Sequence, residues 1–344
     1  MNFLDKFYQF FLLNYEIAAE EHNIFIKNDD PKQYIGDKTE KFCRFCNKNN
    51  RKFTKIAHAL PEFIGNHSLI SYEECNECNE IFSKTIENDF SNYIIPERIT
   101  SNISGKHYSG RAPLAYKSNT KDVYIINSIN TMFLLSNIGS KNVSIDINSK
   151  EMKLKYYIPR FKPRNIYKFL LKCALSVMDR DTYNKYSFLI ESLKQQKHPL
   201  DDQFRDYIQC LIINFPGVNI FSGIHSLLLT SKGINKFLPQ NIYILSFGSV
   251  QFQIYLPDPR LLGNARIILY PYMNNKPDFI PAHSVSISNI DLYNADPIST
   301  CRYVKYSFGP KFSLSKSEAS SIITELSNKY PKNNIIEAAK LVVP

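Results

Sequence analysis

The sequence has no apolar run approaching the roughly 18 residues that a membrane-spanning helix needs. Its most apolar N-terminal piece, FYQFFLLNYEIAAEEHN, contains Glu16 and has no basic leader before it. A membrane span and a signal peptide are both poor readings of that piece, so an intracellular, cytoplasmic chain without membrane partners is expected. No internal repeat or low-complexity tract is present, which argues against a solenoid. Cysteine is sparse, with seven in 344 residues. Cys173, Cys210 and Cys301 stand singly in apolar contexts where buried thiols are common, and the other four form two close pairs, a distribution that points to metal rather than disulfides. Acid is missing between Lys41 and His58, a stretch that carries Lys41, Arg44, Lys48, Arg51, Lys52 and Lys55. The stretch from Ser71 to Phe90 is the reverse, with Glu73, Glu74, Glu77, Glu80, Glu87 and Asp89 against Lys84. The basic block could meet phosphate, and the acidic one could hold a cation.

Hydrophobic residues make up 44% of the chain and aromatics 13%, with 22 Tyr and 24 Phe, so a sizeable core can be buried. A length of 344 residues leaves room for two or three domains. Forty-two Lys and Arg against 32 Asp and Glu give a net charge of +10, which favours polyanionic partners. A composition rich in Lys, Asn and Ile gives the same sign by default, so the total charge decides little.

Along the chain, Phe3, Phe7, Phe10, Phe11, Tyr15 and Ile17 or Ala18 fall near helical spacing and predict a helix over residues 2–22. Such a stripe serves either a partner or dimer contact or, more commonly, packing on its own domain. KNDDPKQYIGDKTE, residues 27–40, reads as a linker. DVYIINSI, TMFLLSNI and VSIDINSKEMKLKYYI read as strands. From Arg164 the period becomes helical, with Ile166, Phe169, Leu170, Cys173 and Val177 on one face and Lys168 and Lys172 together on another. TYNKYSFLIESLKQQ and DQFRDYIQCLIINF read as further helices. NIYILSFGSVQFQIYLPDP, ARIILYPYM and HSVSISNIDLY are strand candidates, and S-K-S-E at Ser315 marks the start of a final helix. The class is α+β, divided into an N-terminal helix and linker (1–40), a small motif domain (41–98) and a larger mixed domain (99–344) that recognises substrate or senses a signal.

Cys43/Cys46 and Cys75/Cys78 are both C-x-x-C, separated by 28 residues. Each knuckle lets two thiolates reach one ion, and four thiolates complete the tetrahedral shell of structural zinc. Coincidental free thiols and a redox pair are the competing readings; neither pair opens a helix in a βαβ pattern, as a thioredoxin-like site would. Between the knuckles, RKFTKIAHALPEFIGN places His58 on a short strand that runs into a loop at Pro61 and Gly65, and ECNECNEIFSKTIENDF reads as a helix.

C-R-F-C, A-H-A-L-P-E-F-I-G-N and E-C-N-E-C-N-E-I-F-S-K-T-I-E, in that order, resemble HNH endonucleases of the four-cysteine, zinc-stabilised type, over about residues 41–95. The resemblance implies a ββα-metal module that hydrolyses phosphodiester bonds, with Zn²⁺ as the structural ion and Mg²⁺ or Mn²⁺ as the catalytic one. By matched position His58 is the general base, Asn66 or its neighbour His67 supports the histidine or the loop, and Asn79 is a ligand of the catalytic ion. The chemistry is reasonable in itself, since a neutral imidazole suits proton abstraction and a hard cation offsets phosphoryl charge. Many family members carry an acidic residue or a second histidine before the base, where this chain has Ala57. Asn79, Ser83 and Glu87, at i, i+4 and i+8 of one helix, make Glu87 the first candidate to complete the site, with Glu62 second.

KLKYYIPRFKPRNIYKFLLK interleaves Lys153, Lys155, Arg160, Lys162, Arg164, Lys168 and Lys172 with Tyr156, Tyr157, Phe161 and Tyr167, a composition that suits either a nucleic-acid track or core aromatics with solvated lysines. His22, His107, His198, His225 and His283 show no partner spacing. The leading reading is a metal-dependent DNA endonuclease, and the domain layout is similar to restriction or anti-phage effectors. A zinc module that binds nucleic acid without cleaving it, and an RNA-cleaving nuclease, are the alternatives. Oligomeric state is open, with a homodimer plausible.

Overall fold

The computed structural model describes residues 3–24, 31–101, 103, 115–120, 122–128, 131–136, 140–146, 148–149, 151–217, 220–233, 235, 237–261, 271–272, 285–307 and 337–342. Helices and strands mix along the chain, as the α+β class requires. Among the described residues no helix is long and apolar enough to cross a membrane. Two compact units form: Met1–Asn92 with Phe161–Ile298, and Tyr93–Arg160 with Ser299–Pro344. The segment around the cysteine pairs thus packs in one unit with residues 161–298.

In the first unit, α1 (Phe3–Asn14) gives way to β1 (Tyr15–Ile24), so the expected helix over 2–22 is only half as long. β1 finds an antiparallel partner in β11 (Phe221–Ser231) along its length, and this long-range pairing outweighs the local helical period. With β10 (Gln209–Asn214), β12 (Asn241–Gly248), β13 (Val250–Tyr255) and β14 (Ser286–Asp291), these strands form a six-stranded sheet of order β1-β11-β12-β13-β10-β14, antiparallel at every pairing. β12 and β13 are buried at every residue. Gln251 and Gln253 are tolerated inside because the Tyr272 main chain bonds both: Gln251 Nε2 donates to the Tyr272 carbonyl at 2.7 Å, and Gln253 Oε1 accepts the Tyr272 N–H at 2.9 Å.

α5 (Pro163–Val177) lies against β12 and β13 and is buried on all sides. The expected second helix breaks into α6 (Arg180–Asn184), a 3-10 turn and α7 (Ile190–Lys194). The expected third helix is also corrected: α8 (Pro199–Gln203) and a 3-10 turn at Arg205–Tyr207 lead into β10. QCLIIN is bonded between β13 and β14, where β-branched Ile212 and Ile213 suit a strand. A small sheet of order β2-β4-β3 combines β2 (Gln33–Ile35), parallel to β4 (Leu69–Ser71), with β3 (Ala57–His58), antiparallel to it. β2 lies in the stretch expected to be linker. α2 (Asn76–Lys84) and α3 (Ile86–Tyr93) follow.

In the second unit, α4 (Ile95–Thr100) is held by Arg302, whose guanidinium donates to Glu97 Oε2 at 3.1 Å. β5 (Ala115–Lys117), β6 (Val123–Ser128), β7 (Thr131–Ser136) and β16 (Glu337–Val342) form a sheet of order β16-β7-β6-β5. β8 (Val143–Asp146), β9 (Glu151–Phe161) and β15 (Ile298–Ser307) form another, of order β15-β9-β8. The strands expected at DVYIINSI, TMFLLSNI and within VSIDINSKEMKLKYYI are present. The helix expected from Ser315 lies outside the described residues, as does nearly all of ARIILYPYM.

Candidate active site and metal centre

The first knuckle is a tight turn. Asn47 takes a left-handed φ of 55°, which asparagine tolerates, so that its N–H reaches the Cys43 carbonyl at 2.8 Å and the Cys43 N–H reaches the Lys48 carbonyl at 3.0 Å. The second knuckle starts α2, with Cys75 at the N-cap and Cys78 one turn on. All four Sγ atoms lie within 4.8 Å of one another, and those of Cys46 and Cys75 are 3.9 Å apart. Zinc–sulfur bonds of about 2.3 Å in a tetrahedron place sulfurs about 3.8 Å apart, so this cluster could hold zinc. A hydrogen bond shared with Cys78 pulls the Cys43 thiol down to about 5, while burial pushes the Cys75 thiol up to about 11. Thiols this close do not ionise independently. Among the described residues no second group of three or more His, Cys, Asp or Glu side chains converges in this way.

His58 sits on β3 beside that cluster in sequence. Ala57 is 2% exposed, because neighbouring strand residues face opposite ways and this one faces inward. Pro61 opens a 3-10 turn over Glu62–Ile64, and Gly65, at φ 103°, closes it with its N–H on the Glu62 carbonyl at 2.9 Å; that backbone conformation favours glycine. The turn carries Glu62 back toward the strand, and Glu62 Oε1 lies 3.4 Å from His58 Nε2. Asn66 is fully buried. Its amide donates to the carbonyls of Leu60 and Leu69, and its Oδ1 accepts the N–H groups of Ser68 at 3.2 Å and Leu69 at 2.9 Å. Asn66 therefore locks the loop between β3 and β4. His67 instead is half-buried, and its carbonyl accepts from Lys32 at 2.6 Å.

Asn79 lies half-buried in the first turn of α2, its N–H on the Cys75 carbonyl at 3.0 Å. The helix does not run straight on to Glu87. It ends at Thr85, at φ −119° and ψ −93°, so the i, i+4, i+8 face inferred for Asn79, Ser83 and Glu87 does not exist. The break lets α3 turn Ile86 and Phe90 inward, and Phe90 stacks on Phe169 of α5 at 3.9 Å between ring centroids. Glu87 faces α5 as well, with Oε1 3.4 Å from Lys172 Nζ.

The basic track expected along residues 153–172 divides: Lys153 and Arg160 are exposed, Lys155 and Lys162 are half-buried, and its α5 part is internal. Arg164, Lys168 and Lys172 are 5%, 1% and 0% exposed, and the aromatic side chains of Tyr156, Phe161 and Tyr167 are buried too, each in its own unit. Asp201 accepts from Arg164 at 3.0 Å and Lys168 at 2.9 Å, and Lys172 lies 3.1 Å from Glu74. Burial pulls Lys172 down, but the Glu74 and Glu87 carboxylates more than offset it and its pKa is raised. Burial pushes Glu74 up to about 7, against the pull of Lys172.

Two residues escaped sequence reasoning. Asn76 Oδ1 accepts the N–H groups of Thr54 and Lys55, each at 3.0 Å, tying the approach to β3 onto α2. Arg44, inside the first knuckle, pairs with Glu73 and donates to the carbonyls of Leu175, Ser176 and Met178, thereby capping the C-terminal end of α5. The only signal for either was position: one residue inside, or one residue after, a cysteine of the motif.

A hairpin-borne histidine and a helix rising from the second knuckle of a four-cysteine cluster thus lie within one short segment. Residues 43–95 match the family model described as HNH endonuclease, a family that suggests nucleic-acid binding. No curated protein and no solved structure matches the chain.

Proposed function

We propose that residues 43–95 are the catalytic module of a metal-dependent endonuclease that hydrolyses phosphodiester bonds of DNA. The observation that carries this reading is the placement of His58: the β3–β4 loop locked by Asn66 holds its ring against Glu62, within the segment that matches the HNH family. His58 acts as general base, taking a proton from water as the water oxygen bonds to phosphorus and the sugar oxygen leaves. Glu62 orients the imidazole and, with the Asn79 amide oxygen, supplies hard oxygen donors of the kind Mg²⁺ or Mn²⁺ takes. When bound, such an ion offsets charge on the phosphoryl and leaving oxygens. Glu87 has a supporting part, because its carboxylate is shared with Lys172. Zn²⁺ on Cys43, Cys46, Cys75 and Cys78 is structural. A part in restriction or anti-phage defence is the biological setting that the layout suggests; phage plating on cells with and without the gene tests it.

The decisive experiment is nicking of supercoiled plasmid with Mg²⁺ or Mn²⁺, comparing the natural protein with His58→Ala. A loss of about 10²–10⁴-fold is expected for the variant. Absence of nicking with any divalent ion would sink the proposal, and equal cleavage by both proteins would remove His58 as the base. The buried Ala57, in place of an acidic ligand, favours one second reading: a zinc module that binds nucleic acid without cutting it. Retained DNA binding without nicking would support that reading, and a parallel RNA substrate would identify an RNase.

A further inference from the structure

Lys172 lies on α5, well outside the matched segment, yet its ammonium is completely buried among residues of that segment. Nζ is 3.1 Å from Glu74 Oε2, 3.4 Å from Glu87 Oε1 and 3.5 Å from the main-chain carbonyl of His58, while the rings of Phe45 and Phe82 each lie 5.8 Å away. An ammonium has three N–H donors. Here two of them reach Glu87 on α3 and the main chain of the strand that carries the proposed base, while the carboxylate of Glu74, the residue before Cys75, stands at ion-pair distance. The same helix is gripped by the segment at both ends. Asp89 of α3 accepts the N–H of Lys162, the residue before α5, at 3.2 Å, and Arg44 caps the C-terminal carbonyls.

We propose that Lys172 is a positioning residue of the His58 site, an internal cation supplied by α5 that fixes β3 against α2 and α3. The proposal rests on the nuclease reading above and extends it, because the module then depends on a residue the family match does not include. Lys172 is shielded from solvent and from substrate, so it acts through His58 and not on the scissile phosphate. The main-chain bond matters most: the His58 carbonyl leaves β3 beside Ala59, whose N–H donates to the Leu69 carbonyl at 3.2 Å and continues the hairpin.

The test uses the full-length protein. Lys172→Met alone leaves the fully buried Glu74 and the half-buried Glu87 without their cation and is expected to unfold or lose zinc. Lys172→Met combined with Glu74→Gln removes charge from both sides and keeps the question open to measurement, and Lys172→Arg retains the cation. For the double variant, one zinc per chain and a melting temperature near the natural value are expected. Its kcat for plasmid nicking is expected to fall by about 10–100-fold with KM within about two-fold, the pattern of a group that acts on the reacting geometry rather than on substrate binding. Lys172→Arg is expected to recover part of the loss. Hydrogen exchange at the Ala59 amide is expected to quicken by about ten-fold or more while amides of β12 and β13 stay unchanged, a local rather than global opening. A folded, zinc-loaded double variant with natural kcat overturns the proposal, and so does unchanged exchange at Ala59, whatever the nicking shows. Failure of the natural protein to nick at all would instead strike the nuclease reading, so the two failures are told apart.

Discussion

Two stretches of this chain look equally basic on paper and have opposite fates in the fold. Around the first knuckle, Lys41, Lys48, Lys52 and Lys55 are exposed, Arg51 is half-buried beside Glu77, and Arg44 is taken inside. Along α5, Arg164, Lys168 and Lys172 are all inside, each within ion-pair distance of an aspartate or glutamate. The knuckle is organised around four converging thiols and leaves its lysines in solvent. The helix is the wall against which sheet and motif both pack, so its cations had to be matched by Asp201, Glu74 and Glu87. A count of positive charge does not distinguish the two, because burial decides which charges reach a partner.

The largest effect should come from removing the organiser of the first stretch. Stripping zinc with a strong chelator, or Cys43→Ser, is expected to reduce zinc to well below one per chain, abolish nicking and melt the knuckle region, because structural zinc contributes folding free energy directly. Metal analysis and thermal melting check this. Next comes the matched charge of the second stretch. Asp201→Ala leaves Arg164 and Lys168 buried without their shared carboxylate and is expected to cost about 3–5 kcal/mol of stability by denaturant unfolding. Lys168→Met with Asp201→Asn should recover much of that cost. A natural stability for Asp201→Ala would break the comparison. The smallest effect on stability should come from Lys48→Gln, Lys52→Gln and Lys55→Gln, each within about 0.5 kcal/mol of natural. The same three changes should weaken DNA binding across sequences and make the salt dependence shallower, by about one unit of slope for each phosphate that a lysine no longer neutralises. Unchanged salt dependence would show that the exposed block is not the DNA-facing one.

The motif survived the passage from sequence to structure because its logic is local. Two C-x-x-C turns, a proline and glycine that close a 3-10 turn, and an asparagine that ties four nearby backbone groups all act within a few residues, so spacing suffices to place them. His58 on a short strand and Asn66 in the loop are of this kind. The Glu87 argument failed as geometry since it assumed one unbroken helix, and Thr85 turns the chain so that Ile86 and Phe90 can be buried. Glu62, ranked second from sequence, is the carboxylate that the turn brings to His58. The later parts of the helix expected through residue 22 and of the helix expected through QCLIIN are strands for the same reason, a sheet partner far away in the chain.

Sequence by itself determined the four-cysteine staple, the histidine between its halves and the α+β class, because cysteine spacing, turn residues and hydrophobic runs express their preferences over short distances. Only the tertiary structure decided which basic residues stay outside, which carboxylate stands beside His58, and that Lys172 reaches beneath it. Those outcomes depend on which distant segments share a core, and burial changes the cost of a charge far more than any local pattern does.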